Sequence, residues 1–127
     1  MIVADASWII ALSDPGDPHH AAAVALNRTT LDDAVVLHPV TLAECFVGPA
    51  SSGLLDEVAD ALRSAFTIAT VDADAPLRWA ALRAATGLWL PDSIVLDTAV
   101  VGGASAILTF DRQLAAEATG RSIACPR

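Results

Sequence analysis

Short, uninterrupted apolar runs recur along this chain, and each is followed by a segment with helical periodicity. Met1–Ala4, Val35–Leu37, the β-branched run Thr67–Val71 and Ala106–Leu108 read as strands. None alternates polar with apolar residues, so each is buried on both faces. That happens in parallel sheets covered by helices on both sides. The expected fold is therefore α/β. It has a central, mostly parallel sheet of four to five short strands, the fifth at Ser122–Ala124, flanked by helices.

The helices are bounded by local signals. Ala6–Leu12 stops at Ser13-Asp14-Pro15-Gly16, and a second helix starts near Pro18 with Asp17 as cap, covering Ala21–Asn27. Pro39–Val47 ends before Gly48-Pro49. Leu54–Phe66 is amphipathic, with Asp56, Glu57, Asp60 and Arg63 on its wet side. Asp74–Thr86 stops at Gly87, Asp92–Val101 at Gly102-Gly103, and Asp111–Thr119 at Gly120. At 127 residues the chain fits one domain, 1–127.

In such sheets the sites lie where strands end and the following helices begin. Asp5 follows the first strand, Asp111 follows the fourth, and Asp92 opens a helix. Glu44 lies in a largely apolar helix, Val40 to Val47, where an acid is costly to bury without a positive partner. Taken singly, Asp5, Asp92 and Asp111 read as helix caps and Glu44 as a side chain reaching solvent. Taken together, they place four carboxylates at one end of the sheet.

The composition sharpens this. All seven basic residues are Arg, so every mechanism that needs a lysine is excluded, including Schiff-base chemistry and the P-loop. The formal charge of −8 argues against a protein that coats nucleic acid through a basic face. It leaves room for an enzyme that meets nucleic acid through a carboxylate-held metal. Oxygen donors without thiolate or imidazole suit Mg²⁺ or Mn²⁺, and such clusters hydrolyse phosphodiesters. Cys45 and Cys125 make no disulfide framework, which indicates a reducing compartment. The opening MIVADASWIIAL lacks a basic leader, and no run reaches membrane-spanning length without charge. A cytoplasmic protein with no membrane partner is expected.

Other residues carry two readings each. Ser7 and Thr109 either orient a carboxylate or water, or bond the backbone. Trp8, Trp79 and Trp89 serve packing or partner contact in preference to base stacking. Arg78 and Arg83 read as a solvated face, and Arg112 either as solvated or as a phosphate contact. Asp72 and Asp74 read as a turn and helix cap in preference to extra metal ligands. His19, His20 and His38 do not have the spacing of a zinc site.

Four segments also resemble the motifs of PIN domains. They are Ile2-Val3-Ala4-Asp5-Ala6-Ser7, Leu42-Ala43-Glu44, Leu90-Pro91-Asp92 through Asp97-Thr98-Ala99, and Ile107-Leu108-Thr109-Phe110-Asp111. They occur in the family's order over essentially the whole chain, at a size similar to VapC-type toxins. The resemblance implies a Mg²⁺- or Mn²⁺-dependent endoribonuclease with Asp5, Glu44, Asp92 and Asp111 catalytic and with Asp5, Asp92 and Asp111 on the metal. It further implies an RNA substrate, a homodimer and a cognate antitoxin, for which the acidic pocket suits a basic inhibitory segment. Asp97 departs from the pattern, standing where the family has a small residue. Five residues from Asp92 is about 140° round a helix, so Asp97 is expected to support the cluster from behind or to lie at the surface. The competing functions are an RNA-processing or structure-specific nuclease of PIN-like fold, and a catalytically dead PIN-like binding module.

Overall fold

The computed structural model describes residues 1–127. The elements run β1 (Ile2–Ala4), α1 (Ala6–Ser13), α2 (His20–Thr29), β2 (Val35–Leu37), α3 (Pro39–Ser51) and α4 (Leu55–Ala65). They continue with β3 (Thr67–Ile68), α5 (Ala75–Thr86), α6 (Leu90–Gly102), β4 (Ala106–Leu108) and α7 (Arg112–Gly120). The sheet has four parallel strands in the order β3-β2-β1-β4. Ala124 adds a single parallel bridge to Ala106, so the expected terminal strand shrinks to one pairing beyond β4.

Both sheet faces are covered, which explains the uniformly apolar strands. Ile2, Ala4, Leu37, Ala106 and Leu108 point to one side and pack on Trp8, Ile9, Ala23, Leu26, Leu42 and Cys45 of α1, α2 and α3. Their neighbours Val3, Val36 and Ile107 point to the other side, against Val95, Leu96, Ala99, Leu114 and Ala118 of α6 and α7. The period-2 alternation of strand side chains sorts a continuous apolar run into two cores. No single helix is long and apolar enough to cross a membrane.

Several boundaries differ from expectation. Helix α3 does not stop at Val47 but runs through Pro49 to Ser51. A proline inside a helix forfeits its own N–H bond, but only Ala50 and Ser51 follow Pro49 in α3, and Ser52 N–H closes the end on the Gly48 and Pro49 carbonyls. Helix α2 starts at His20, because Asp17 spends its carboxylate on the His19 N–H in the preceding turn. Strand β3 stops at Ile68 rather than Val71, after which the Asp72 carboxylate accepts from Asp74 N–H and turns the chain. The left-handed positions that end α5 and α6 fall on glycine, Gly87 at φ 74° and Gly103 at φ 65°. The topology leaves the carboxyl ends of the neighbouring strands β1 and β4 side by side, with Ala4 opposite Leu108.

Candidate active site

Asp5 is buried directly beyond β1. It sits at the start of α1 but makes no side-chain cap bond to it, so the capping role is not its use. Its Oδ2 instead accepts two hydroxyls, Ser7 Oγ at 2.7 Å and Thr109 Oγ1 at 2.9 Å. Each hydroxyl in turn accepts a backbone N–H from the segment after β4: Phe110 N to Ser7 Oγ at 3.0 Å, and Asp111 N to Thr109 Oγ1 at 3.0 Å. Both readings of Ser7 and Thr109 therefore hold together. They orient the Asp5 carboxylate and also bond the backbone, tying the end of β1 to the turn that carries Asp111. Asp5 Oδ1 accepts no hydrogen bond from the protein.

Asp111 does cap its helix, with Oδ1 accepting Leu114 N–H at 2.9 Å. Its Oδ2 is left over, so capping fixes the carboxylate without using it up. Asp92 lies within the first turn of α6, since that helix begins at Leu90, and so it is not a cap. It is half-buried. Burial first, and then the charges of Asp5, Asp111 and Glu44, raise its carboxyl to about pKa 7. Those causes place the other three predicted acids within electrostatic reach of Asp92.

Glu44 is not buried among the apolar residues of α3. Leu42 and Cys45 turn inward while Glu44 faces solvent. Partial desolvation and then Asp5 raise its pKa. The neighbouring Cys45 thiol is buried, and that burial, with the charges of Glu44 and Asp5, pushes it up to about 12. No arginine bonds or pairs with any of the four acids. In this conformation, no three His, Cys, Asp or Glu side chains close into a metal-holding group. The donor chemistry nevertheless fits a hard divalent cation. All the donors are carboxylate oxygens, several are free of protein hydrogen bonds, and their mutual repulsion is relieved by no residue of the chain.

Asp97 behaves differently from expectation. It neither supports the cluster nor lies at the surface. It is buried, and it accepts from Arg78 Nε at 2.9 Å, Arg78 Nη2 at 3.2 Å and Trp79 Nε1 at 3.1 Å. Arg78 also grips Asp72 through both oxygens, at 3.0 and 2.8 Å. Arg78 is thus no solvated residue, and the Asp72 carboxylate does more than make a turn. His38 packs edge-on against Trp79 and uses Nδ1 to accept Val40 N–H, capping α3. Burial pushes the His38 pKa down, opposed by the charge of Asp97. The 140° rotation separates Asp97 from Asp92 as expected. The arginine that meets it comes from α5, which no local sequence signal announces.

A second feature borders the acids. A groove of about 530 Å³ runs between α1, α3 and α4, lined by Ile9, Ile10, Cys45, Val58 and Leu62, with Glu44 on its edge.

No curated protein matches the sequence. Solved structures do match the fold. The chain is similar to a toxin–antitoxin complex from Klebsiella pneumoniae, at 25% identity over 87% of each chain and a TM-score of 0.69. It is similar to VapC20 of Mycobacterium tuberculosis, a Sarcin-Ricin loop cleaving toxin, at 19% identity, 92% and 95% coverage and a TM-score of 0.76. It is also similar to FitAcB of Neisseria gonorrhoeae, at 17% identity, 100% and 97% coverage and a TM-score of 0.73. The PIN-domain family model matches residues 2–118. A parallel sheet with acids gathered at its carboxyl edge, matched by that model over nearly its whole length, identifies the chain as a member of the PIN-domain family.

Proposed function

We propose that this chain is a Mg²⁺- or Mn²⁺-dependent endoribonuclease that acts in the cytoplasm as the toxin of a toxin–antitoxin pair. One observation carries the chemistry: Asp92 is held near pKa 7 by burial and by Asp5, Asp111 and Glu44, with no cation of the protein among them. Asp5, Asp92 and Asp111 are the residues that would hold the metal. When bound, such an ion supplies Lewis acidity toward a phosphodiester and a more acidic water.

The chain's own residues do the rest. Ser7 and Thr109 hold one oxygen of Asp5, leaving the other for binding. Leu114 N–H does the same for Asp111. Glu44, at the solvent margin with a raised pKa, is suited to moving a proton between bulk water and the site.

The similar Klebsiella structure is a toxin–antitoxin complex, and that likeness supports a partner here. The groove beside Glu44 gives the partner an apolar seat, bounded by Ile9 and Ile10 of α1. Trp8, by contrast, is fully buried and belongs to the core. A basic segment continuing past the groove would meet the four acids, and an Arg engages two carboxylate oxygens at once. A homodimer is the assembly proposed for the free toxin.

Incubating the purified chain with RNA tests the chemistry. Internal cleavage is expected with Mg²⁺ or Mn²⁺ and is expected to vanish with chelator or in the Asp5→Asn chain. Undiminished cleavage by a folded Asp5→Asn chain contradicts the proposal.

A further inference from the structure

The three tryptophans have three different fates. Trp8 is 0% exposed, and Trp79 is half-buried with its N–H on Asp97. Trp89 is 69% exposed. A large apolar ring left in water forgoes the burial that stabilises the other two, so its placement calls for an occupant.

Its surroundings say which. The Arg83 guanidinium lies 5.2 Å from the Trp89 ring centroid and covers one face, leaving the other free. Arg83 has an anchor there, its Nη1 donating to the Leu88 carbonyl at 2.8 Å. Nor is it neutralised: the acids of this chain pair with Arg78 and Arg121, and none with Arg83. In a chain of formal charge −8, an unneutralised cation fixed against an exposed indole is complementary to an anion with an aromatic face.

The backbone under Trp89 is also fixed. Its carbonyl accepts both Ser93 N–H at 3.0 Å and Ser93 Oγ–H at 3.1 Å, as the residue that precedes α6. Asp92 follows three residues later in the first turn of α6, and residues three apart at a helix start lie on one side. The ring and the Asp92 carboxylate therefore belong to the same end of α6, within one turn of each other.

We propose that Trp89 and Arg83 form a nucleotide platform at the mouth of the site, the free indole face stacking on a base of single-stranded RNA and the Arg83 guanidinium meeting a neighbouring phosphate. This rests on the ribonuclease reading and goes beyond it by naming how the strand is held. Stacking tolerates any base, so the platform positions the strand without choosing its sequence.

The test uses the full chain, Mg²⁺ and a short mixed-sequence single-stranded RNA, in the Asp5→Asn background so that the probe stays intact. The RNA should quench tryptophan fluorescence, and Trp89→Phe should abolish most of that quenching while binding persists. Trp89→Ala should weaken RNA binding about tenfold. Arg83→Gln should weaken it as well and lower the salt dependence by about one phosphate contact. With Asp5 restored, Trp89→Ala should raise KM and leave kcat nearly unchanged, with melting temperature and Mn²⁺-induced stabilisation kept. If the Asp5-restored chain cleaves RNA and both substitutions leave KM and affinity as they were, the platform is wrong while the ribonuclease reading stands. Equal RNA affinity combined with a change of oligomeric state in Trp89→Ala would likewise overturn the platform, assigning the ring to a chain–chain contact. If the native chain neither binds nor cleaves RNA, the ribonuclease reading itself falls, and the platform with it.

Discussion

Replacing Asp92 by Asn keeps the side chain's shape and removes its charge, so the variant isolates the electrostatic cost of the cluster. The Asp92 pKa rises from the ordinary 3.8 to about 7 in the folded chain. The folded state therefore holds a proton that the unfolded chain has already released, and stability falls as pH rises between about 4 and about 7. A gap of about 3 in pKa corresponds to about 4 kcal/mol as a ceiling. Asp92 is only half-buried and water reaches the site, so screening brings the expected value to about 1–2 kcal/mol. Without divalent ions at about pH 8, Asp92→Asn should thus melt higher than the native chain, by roughly 4–8 °C. The difference should shrink as pH falls and close below about pH 4, where Asp92 is protonated in the folded and the unfolded chain alike. Adding Mn²⁺ at about a hundred times its Kd should contribute about 2.7 kcal/mol to the native chain and little to the variant, reversing their order. Calorimetric or fluorescence melts over this pH range, with and without Mn²⁺, read all three effects. An Asn variant that melts no higher than the native chain at high pH without metal would refute the clustering of charge.

Other outcomes follow from single contacts. Thr109→Val leaves Asp5 Oδ2 and the Asp111 N–H each one partner short, so chemical denaturation should show a loss of about 1–3 kcal/mol together with slower RNA cleavage. Asp97→Ala strips a buried partner from Arg78 and Trp79; because Arg78 keeps Asp72, the cost should be about 1–3 kcal/mol by the same assay, with Mn²⁺-induced stabilisation retained. Ile10, 44% exposed on the groove, should be a determinant of partner binding, and Ile10→Glu should weaken antitoxin affinity by at least about tenfold in a direct binding measurement.

What was legible in the sequence was local. The strands β2 and β4 are bounded by turn residues and end where the apolar runs end. Gly87 and Gly103 stop their helices because each sits at a left-handed position. The positions of Asp5 and Asp111 were legible because the apolar runs that form β1 and β4 end just before them. Tertiary partners were not. Asp97 read as a supporting or surface acid, and only the packing of α5 brings Arg78 and Trp79 to it. Glu44 carried two readings, a costly buried acid or a side chain reaching solvent, and helix geometry decides for the second by turning Leu42 and Cys45 inward and Glu44 out. The sequence cannot distinguish Trp8 from Trp89 by type; only packing buries one and leaves the other beside Arg83.

The central claim is that Asp5, Glu44, Asp92 and Asp111 form one divalent-cation site, distinct from the ion pair at Asp97. Calorimetric titration of Mn²⁺ into the native, Asp5→Asn and Asp97→Asn chains measures this directly. The account predicts native-like affinity in folded Asp97→Asn and at least about a tenfold loss in folded Asp5→Asn. Equal affinity in the native and Asp5→Asn chains would contradict it.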